Sequence, residues 1–257
     1  MFQLRKKILS SLTITTITLA AFISIGLKQS PSATAIGRIN FLLGKEGDVT
    51  IRHVKGTRWL AAKFKMEILK GDQLKTIVES RCEVKLNDGS IIRLGENSLF
   101  DFSESNLSKY GRQVDAALKK GKIWANVTRA SSAGNKFEVK SPTAVCAIRG
   151  TIYRMETDST TRVAVYDGKV DVGPTNDLRE QLQQQQRPLG PPVRIPGPAQ
   201  IPGPYQVTLE QWVQLVQGYQ LEVRNNGRYA KTQIDSVAES RSNWIQWNKE
   251  RDQLLQR

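Results

Sequence analysis

Between residues 36 and 173 apolar and polar positions alternate in short runs, and Gly, Asp and Asn separate the runs. A period of two puts successive side chains on opposite faces of an extended chain, so each run reads as a strand with one buried face. The runs are Val49–Val54, Cys82–Leu86, Ser90–Leu94, Val114–Leu118, Lys122–Val127, Phe137–Lys140, Val145–Met155, Arg162–Tyr166 and Lys169–Val172. Strands at this spacing, with turn signals between them, predict an all-β sandwich, barrel or short solenoid. No stretch of ten residues here keeps a helical period.

Two Asp-Gly pairs set register. At Asp167-Gly168 a two-residue turn pairs Tyr166 with Lys169, Val165 with Val170 and Val163 with Val172, and puts the valines on one face. At Asp88-Gly89 the same turn would set Val84 opposite Arg93 and scramble the faces. A three-residue loop Asn87-Asp88-Gly89, with Gly89 left-handed, pairs Val84 with Ile92 and Cys82 with Leu94, and keeps one face apolar. Because a one-residue slip turns an apolar set to solvent, the bulged loop is expected.

The pattern changes after Gly173-Pro174. Residues 174–204 read as a Gln-rich stretch, with a short helix over Leu178 to Arg187, and then a Pro/Gly linker. The linker carries a tandem repeat, Ile195-Pro196-Gly197-Pro198-Ala199-Gln200 and Ile201-Pro202-Gly203-Pro204-Tyr205-Gln206. Such density of proline favours polyproline-type extension. Residues 205–257 read as a small α+β region of helix, hairpin and helix. Thr208-Leu209-Glu210-Gln211 resembles a capping box opening a helix over Leu209–Gln217. Asn226-Gly227 centres a hairpin between Gln220–Arg224 and Arg228–Gln233, and a last helix is expected from Ser236 to Leu255. Trp212, Trp244 and Trp247 read either as packing anchors or as sugar-stacking rings.

The opposite end of the chain reads as an address. Arg5, Lys6 and Lys7 precede a charge-free, mostly apolar stretch from Ile8 to Leu27, and Ala33-Thr34-Ala35 gives a small-x-small cleavage pattern. That order defines a secretory signal peptide over residues 1–35, cleaved at Ala33 and Ala35. The alternative is an uncleaved membrane anchor, since twenty residues just span a bilayer. Either way the remainder is expected outside the cytoplasm, in the periplasm.

Charge adds a partner class. The net charge is +14, and without the first 35 residues it is +10, from 34 basic and 24 acidic residues. An anionic cell-wall polymer or an envelope protein fits that balance. Nucleic acid does not, because the cations alternate singly with apolar residues, as in Arg81-Cys82-Glu83-Val84-Lys85-Leu86, and form no stripe with stacking aromatics. Membrane contact is expected only if the leader stays uncleaved.

Candidate chemistry is sparse. The two cysteines, Cys82 and Cys146, both fall at inward positions of strands, where an exported pair forms a disulfide or stays as two buried thiols. With one histidine, His53, no Ser-His-Asp or Cys-His set stands out, and two cysteines and one histidine build no structural zinc site. No metal, no cofactor and no catalytic residue is expected.

Taken together, these segments resemble the FecR domain, named after the iron-dicitrate sensor of bacterial envelopes. The resemblance covers about residues 44–173. It opens at Gly47-Asp48-Val49-Thr50-Ile51 and continues through Gly71-Asp72-Gln73-Leu74-Lys75-Thr76 and the Ser80–Gly95 hairpin. Its most specific part is Pro142-Thr143-Ala144-Val145-Cys146-Ala147-Ile148-Arg149-Gly150-Thr151, and it ends at Val165-Tyr166-Asp167-Gly168-Lys169-Val170-Asp171-Val172. The resemblance implies an all-β extracytoplasmic domain that binds or senses. In the founding arrangement such a domain relays a signal from an outer-membrane transporter to a sigma factor, through a cytoplasmic anti-sigma part ahead of a membrane helix. Only seven residues precede the apolar stretch here, so that regulatory half is not expected.

The candidate ligand contacts are Arg149, Thr151, Trp59 and Trp124. Arg149 reads either as a clamp for a carboxylate or sugar acid, or as half of a buried ion pair, with Gly150 allowing a bulge or a close strand crossing. The expected function is non-enzymatic binding or scaffolding in the bacterial envelope. The alternatives are a sensor component of envelope or iron-related signalling and, more distantly, a polysaccharide-active enzyme.

Overall fold

A computed structural model describes residues 35–102, 106–108, 111–129, 136–185 and 211–255. The signal segment with Ala33, the Pro/Gly linker and Thr208 lie outside the described residues. Among the described residues eighteen strands, numbered in chain order, form two sheets. The first sheet runs β4 (Glu67–Leu69), β1 (Ala35–Leu43), β6 (Arg81–Leu86), β7 (Ile91–Leu94), the end of β10 (Gly111–Asn126), β13 (Ile152–Thr157), β14 (Thr160–Asp167), β17 (Tyr219–Arg224) and β18 (Tyr229–Gln233). The second runs β3 (Leu60–Ala61), β2 (Val49–Arg52), β5 (Gln73–Thr76), β8 (Leu99–Asp101), the start of β10, β11 (Lys136–Lys140), β12 (Val145–Ile148), β15 (Lys169–Gly173) and β16 (Val213–Val216). On the second sheet β9 (Asn106–Ser108) also pairs with β10.

The sheets join through β10. Its register breaks between Leu118 and Lys120, and Gly121 takes φ +92°, where a Cβ would strike Ser98. The two expected strands Val114–Leu118 and Lys122–Val127 are therefore one bent strand serving both sheets. Ile39, Val84, Ile92 and Leu94 of the first sheet and Ile51, Leu74, Val139 and Val172 of the second meet in one core. Each such side chain contributes about 1.5–3 kcal/mol on full burial. Among the described pairings only β10 with β11 is parallel, and the all-β expectation takes the sandwich form.

The loop Asn87-Asp88-Gly89 forms as the apolar pattern requires. Val84 pairs with Ile92, Cys82 with Leu94, and Gly89 has φ +86°. The Asp167-Gly168 hairpin does not form. β14 pairs with β13 and β17 in the first sheet, whereas β15 pairs with β12 and β16 in the second. The turn is a corner between sheets, and its four valines face one another across the core. Alternation along the chain cannot distinguish a hairpin from such a corner, because both bury the same residues.

The run Val145–Met155 is likewise two strands, divided at Arg149-Gly150, where the chain crosses from the second sheet to the first. The disulfide expected as one alternative is absent: Cys82 and Cys146 are free, buried thiols. They lie on strands of different sheets, and burial pushes both thiols above the ordinary range.

The C-terminal residues extend both sheets. Residues 213–216, expected in a helix, form edge strand β16 instead, because Val213 and Leu215 turn inward against β15. Arg224 and Arg228 close a three-residue loop at Asn225-Asn226-Gly227. Among the described residues three helices accompany the sheets: α1 (Asn176–Gln185), α2 (Ser236–Ser240) and α3 (Asn243–Leu255). The single last helix of the sequence reading is thus broken at Arg241-Ser242, and Asp235 caps α2 through the amides of Val237 and Ala238.

Candidate functional site

The outward face of the first sheet carries a cross-strand row: Glu83 on β6, Arg93 on β7, Trp124 on β10 and Arg154 on β13, each opposite the next. An outward face would be expected to be wet. Instead Glu83, Arg93 and Trp124 are almost wholly buried, because α3 lies over them. Asp252 on α3 binds the row at two points. One carboxylate oxygen accepts Arg93 Nη1 at 2.8 Å, and the other accepts the Trp124 indole N–H at 2.7 Å.

Glu83 accepts Arg93 Nε at 2.6 Å, Arg251 Nε at 2.9 Å and Asn40 Nδ2 at 2.6 Å. Burial alone would raise its carboxyl, but these donors outweigh burial and hold it at about 2. Beside the row Trp124 stacks on Tyr166, with centroids 4.4 Å apart, and the Tyr166 hydroxyl donates to Glu239 of α2. Lys249 closes on Glu239 at 3.3 Å. The Arg251 guanidinium covers the Phe41 ring at 4.3 Å, and Arg81 lies 4.8 Å from the Trp247 ring. The helices are therefore held by a charged, hydrogen-bonded seam as well as by the cluster of Trp124, Trp244 and Ile245.

A second arrangement stands at the sheet corners. Gly150 has φ +58°, and a Cβ there would run into the Arg129 side chain. Gly168 packs on the Gly150 carbonyl, 2.7 Å from where its own Cβ would lie. The Thr151 hydroxyl donates to Lys169 O at 2.7 Å and lies 3.1 Å from Arg149 O. Thr151 thus ties one corner to the other. A cleft of about 400 Å³ opens beside them, lined by Lys85, Asn126, Arg129, Thr151 and, from α3, Leu255.

The four candidate ligand contacts separate in space. Thr151 and Gly150 line this cleft. Arg149 is exposed, not buried as the ion-pair reading had it, while Gly150 does serve a close crossing. Trp124 lies sealed beneath α3 and meets no ligand while the helix is docked. Trp59 is half-buried in the β2–β3 connection under the Arg52 guanidinium, 4.9 Å from its ring centre. Near it, His53 lies just past the end of β2, and its Nδ1 is 2.9 Å from the buried Asp72, which also accepts the Leu69 amide at 2.8 Å. Asp72 thereby pins the turn before β5.

Sequence reasoning missed the Glu83–Arg93–Asp252 seam. Glu83 and Arg93 alternate within strands as solvated residues do, and Asp252 is about 160 residues from Arg93 along the chain. Among the described residues no group of three or more His, Cys, Asp or Glu side chains is placed to hold a metal ion, and no helix is long and apolar enough to cross a membrane.

An all-β domain with strands exchanged between two sheets through glycine corners defines the class. Residues 72–171 match the family model described as FecR protein. Two crystal structures of a "putative anti-sigma factor" from Parabacteroides distasonis are similar at 18% identity and a TM-score of 0.44 each. The alignments cover 65% and 64% of this chain and 63% and 60% of the others, so the chain spans less than two thirds of their length. No curated protein matches the chain.

Proposed function

We propose that this protein is a non-catalytic sensing module that works outside the cytoplasm. In this reading the FecR domain binds an envelope ligand, and α3 reports whether the ligand is present. The FecR match over residues 72–171 supports a signalling role. The observation that carries the reading is the seam. Asp252 of α3 bonds Arg93 and Trp124, and Asn126, which lines the corner cleft, reaches the same carboxylate at 3.4 Å.

A buried charge seam adds little net stability over an apolar one, yet it is directional and fails sharply when one partner moves. A ligand that pulls Asn126 or displaces Leu255 would therefore shift the balance between docked and released α3. Export by the N-terminal leader would place the domain in the periplasm, with an envelope protein or an anionic cell-wall polymer as partner.

Affinity capture from a bacterial envelope extract tests the reading, with the full chain and its Asp252→Ala variant as baits. Co-purification of a sigma regulator or a TonB-type receptor, altered by the variant, is the expected result. Recovery of cell-wall polymer alone, equal for both baits, would make the protein a scaffold. Glycan hydrolysis abolished by one carboxylate substitution would overturn the non-catalytic reading. A periplasmic reporter fused after Thr76 that stays silent would overturn the location.

A further inference from the structure

We propose that a cleft on the outward face of the second sheet binds an acidic oligosaccharide, stacked on Trp212. This deepens the anionic-polymer part of the reading above and rests on it. The cleft holds about 780 Å³, within the range of small-molecule sites, and lies on the second sheet, whereas the α3 seam lies on the first.

Trp212 is 47% exposed, unusually bare for so large a ring. A Cβ built on Gly173 would lie 2.7, 2.8 and 2.9 Å from its Cδ2, Cε2 and Cε3 atoms. Near-equal distances to three atoms about the ring fusion place the glycine against the face of the indole, not its edge. One face therefore rests on backbone that only glycine leaves open, and among the described residues no ring or cation covers the other. A rigid ring held flat with one open face is what the apolar face of a pyranose stacks on.

The register supplies the rest. Gly173 is opposite Val145, Val145 opposite Lys140, and Lys140 opposite Ala117. Two strand spacings, about 10 Å, separate Gly173 from Lys140. That is too far for one sugar ring to bridge and suits a neighbouring unit of a chain. Lys119 and Arg179 line the same cleft. Among the described residues the side chains of Lys119, Lys140 and Arg179 enter no ion pair or hydrogen bond, so their charges are available to carboxylates. Two acids also face the cleft, Glu138 and Asp177. Glu138 is buried and already engaged, and Asp177 stands at the start of α1. The ligand class is a chain of uronic-acid units, with one ring on Trp212 and a flanking carboxylate on the cations.

Calorimetric titration of the full chain with trigalacturonate, and with maltotriose as the neutral probe, tests the site. Saturable binding of trigalacturonate is expected, at least tenfold tighter than maltotriose and weakening as salt rises. Trp212→Ala should weaken it tenfold or more, Trp212→Phe much less, and Lys140→Ala severalfold. Circular dichroism of each variant verifies that the fold is kept; should Trp212→Ala misfold, Lys140→Glu carries the same test. Tight binding untouched by these variants would overturn the site and leave the polymer reading standing. Failure to bind trigalacturonate better than maltotriose would overturn both.

Discussion

Arg93 is the residue on which the outer layer turns. It is fully buried, its Nε is bound to Glu83, and its Nη1 is bound to Asp252. Removing one partner of a buried pair leaves an uncompensated charge, at a cost of roughly 3–5 kcal/mol. Glu83→Ala should lower the urea-unfolding free energy by that order, and the double variant with Arg93→Met should recover part of it. The same carboxylate sets acid behaviour. Its folded pKa, about 2, lies below the ordinary carboxyl value of 4.5, so its contribution is present above that value and fades as pH falls toward 2. Urea midpoints measured from pH 6 to pH 2 should decline in that window, and the decline should be shallower in Glu83→Gln.

Tyr153 gives the opposite sign. Its hydroxyl is buried, beside Cys146, and has no hydrogen-bond partner among the described residues. Removing a desolvated, unbonded group relieves a cost, so Tyr153→Phe should be neutral or stabilising by up to about 1 kcal/mol. A loss beyond that in the same unfolding assay would show that the hydroxyl has a partner.

At the scale of elements, α3 and the strand corners behave differently. The strands are bonded on both sides through most of each sheet, whereas among the described residues α3 shares no backbone–backbone hydrogen bond with a strand. Its amides should exchange with deuterium earlier than those of β10 and β13, and earlier still near pH 3, where Glu83 begins to take a proton. A chain ended after Ser242 should expose Trp124 and shift its emission to the red. Exchange of α3 in step with the central strands would mean that the helix never leaves the sheet, and the proposed relay would fail.

For the corners, the local sequence specified a reversal at Asp167-Gly168 but not its destination. Turn residues and alternating valines suit a hairpin and a crossing alike. At Asn87-Asp88-Gly89 the two candidate registers expose different side chains, so burial could choose between them in advance.

The whole molecule places its two cysteines in one core on strands of opposite sheets, unbonded. Reducing agent should leave the melting temperature unchanged. Iodoacetamide should label neither thiol in the native protein and both after denaturation, read by mass spectrometry. A reductant-dependent melting temperature would contradict the free-thiol state.

Features that depend on neighbours along the chain were legible in the residues alone: strand periodicity, the bulged loop at Gly89, the need for glycine at position 150 and the FecR pattern. The folded arrangement was needed to show which sheet each strand joins, that residues 213–216 extend an edge, and that Asp252 reaches Arg93 and Trp124. Burial depends on what arrives from elsewhere in the chain. Glu83 and Arg93 alternate as exposed residues do, and become interior only because a helix from the far end of the chain settles on them.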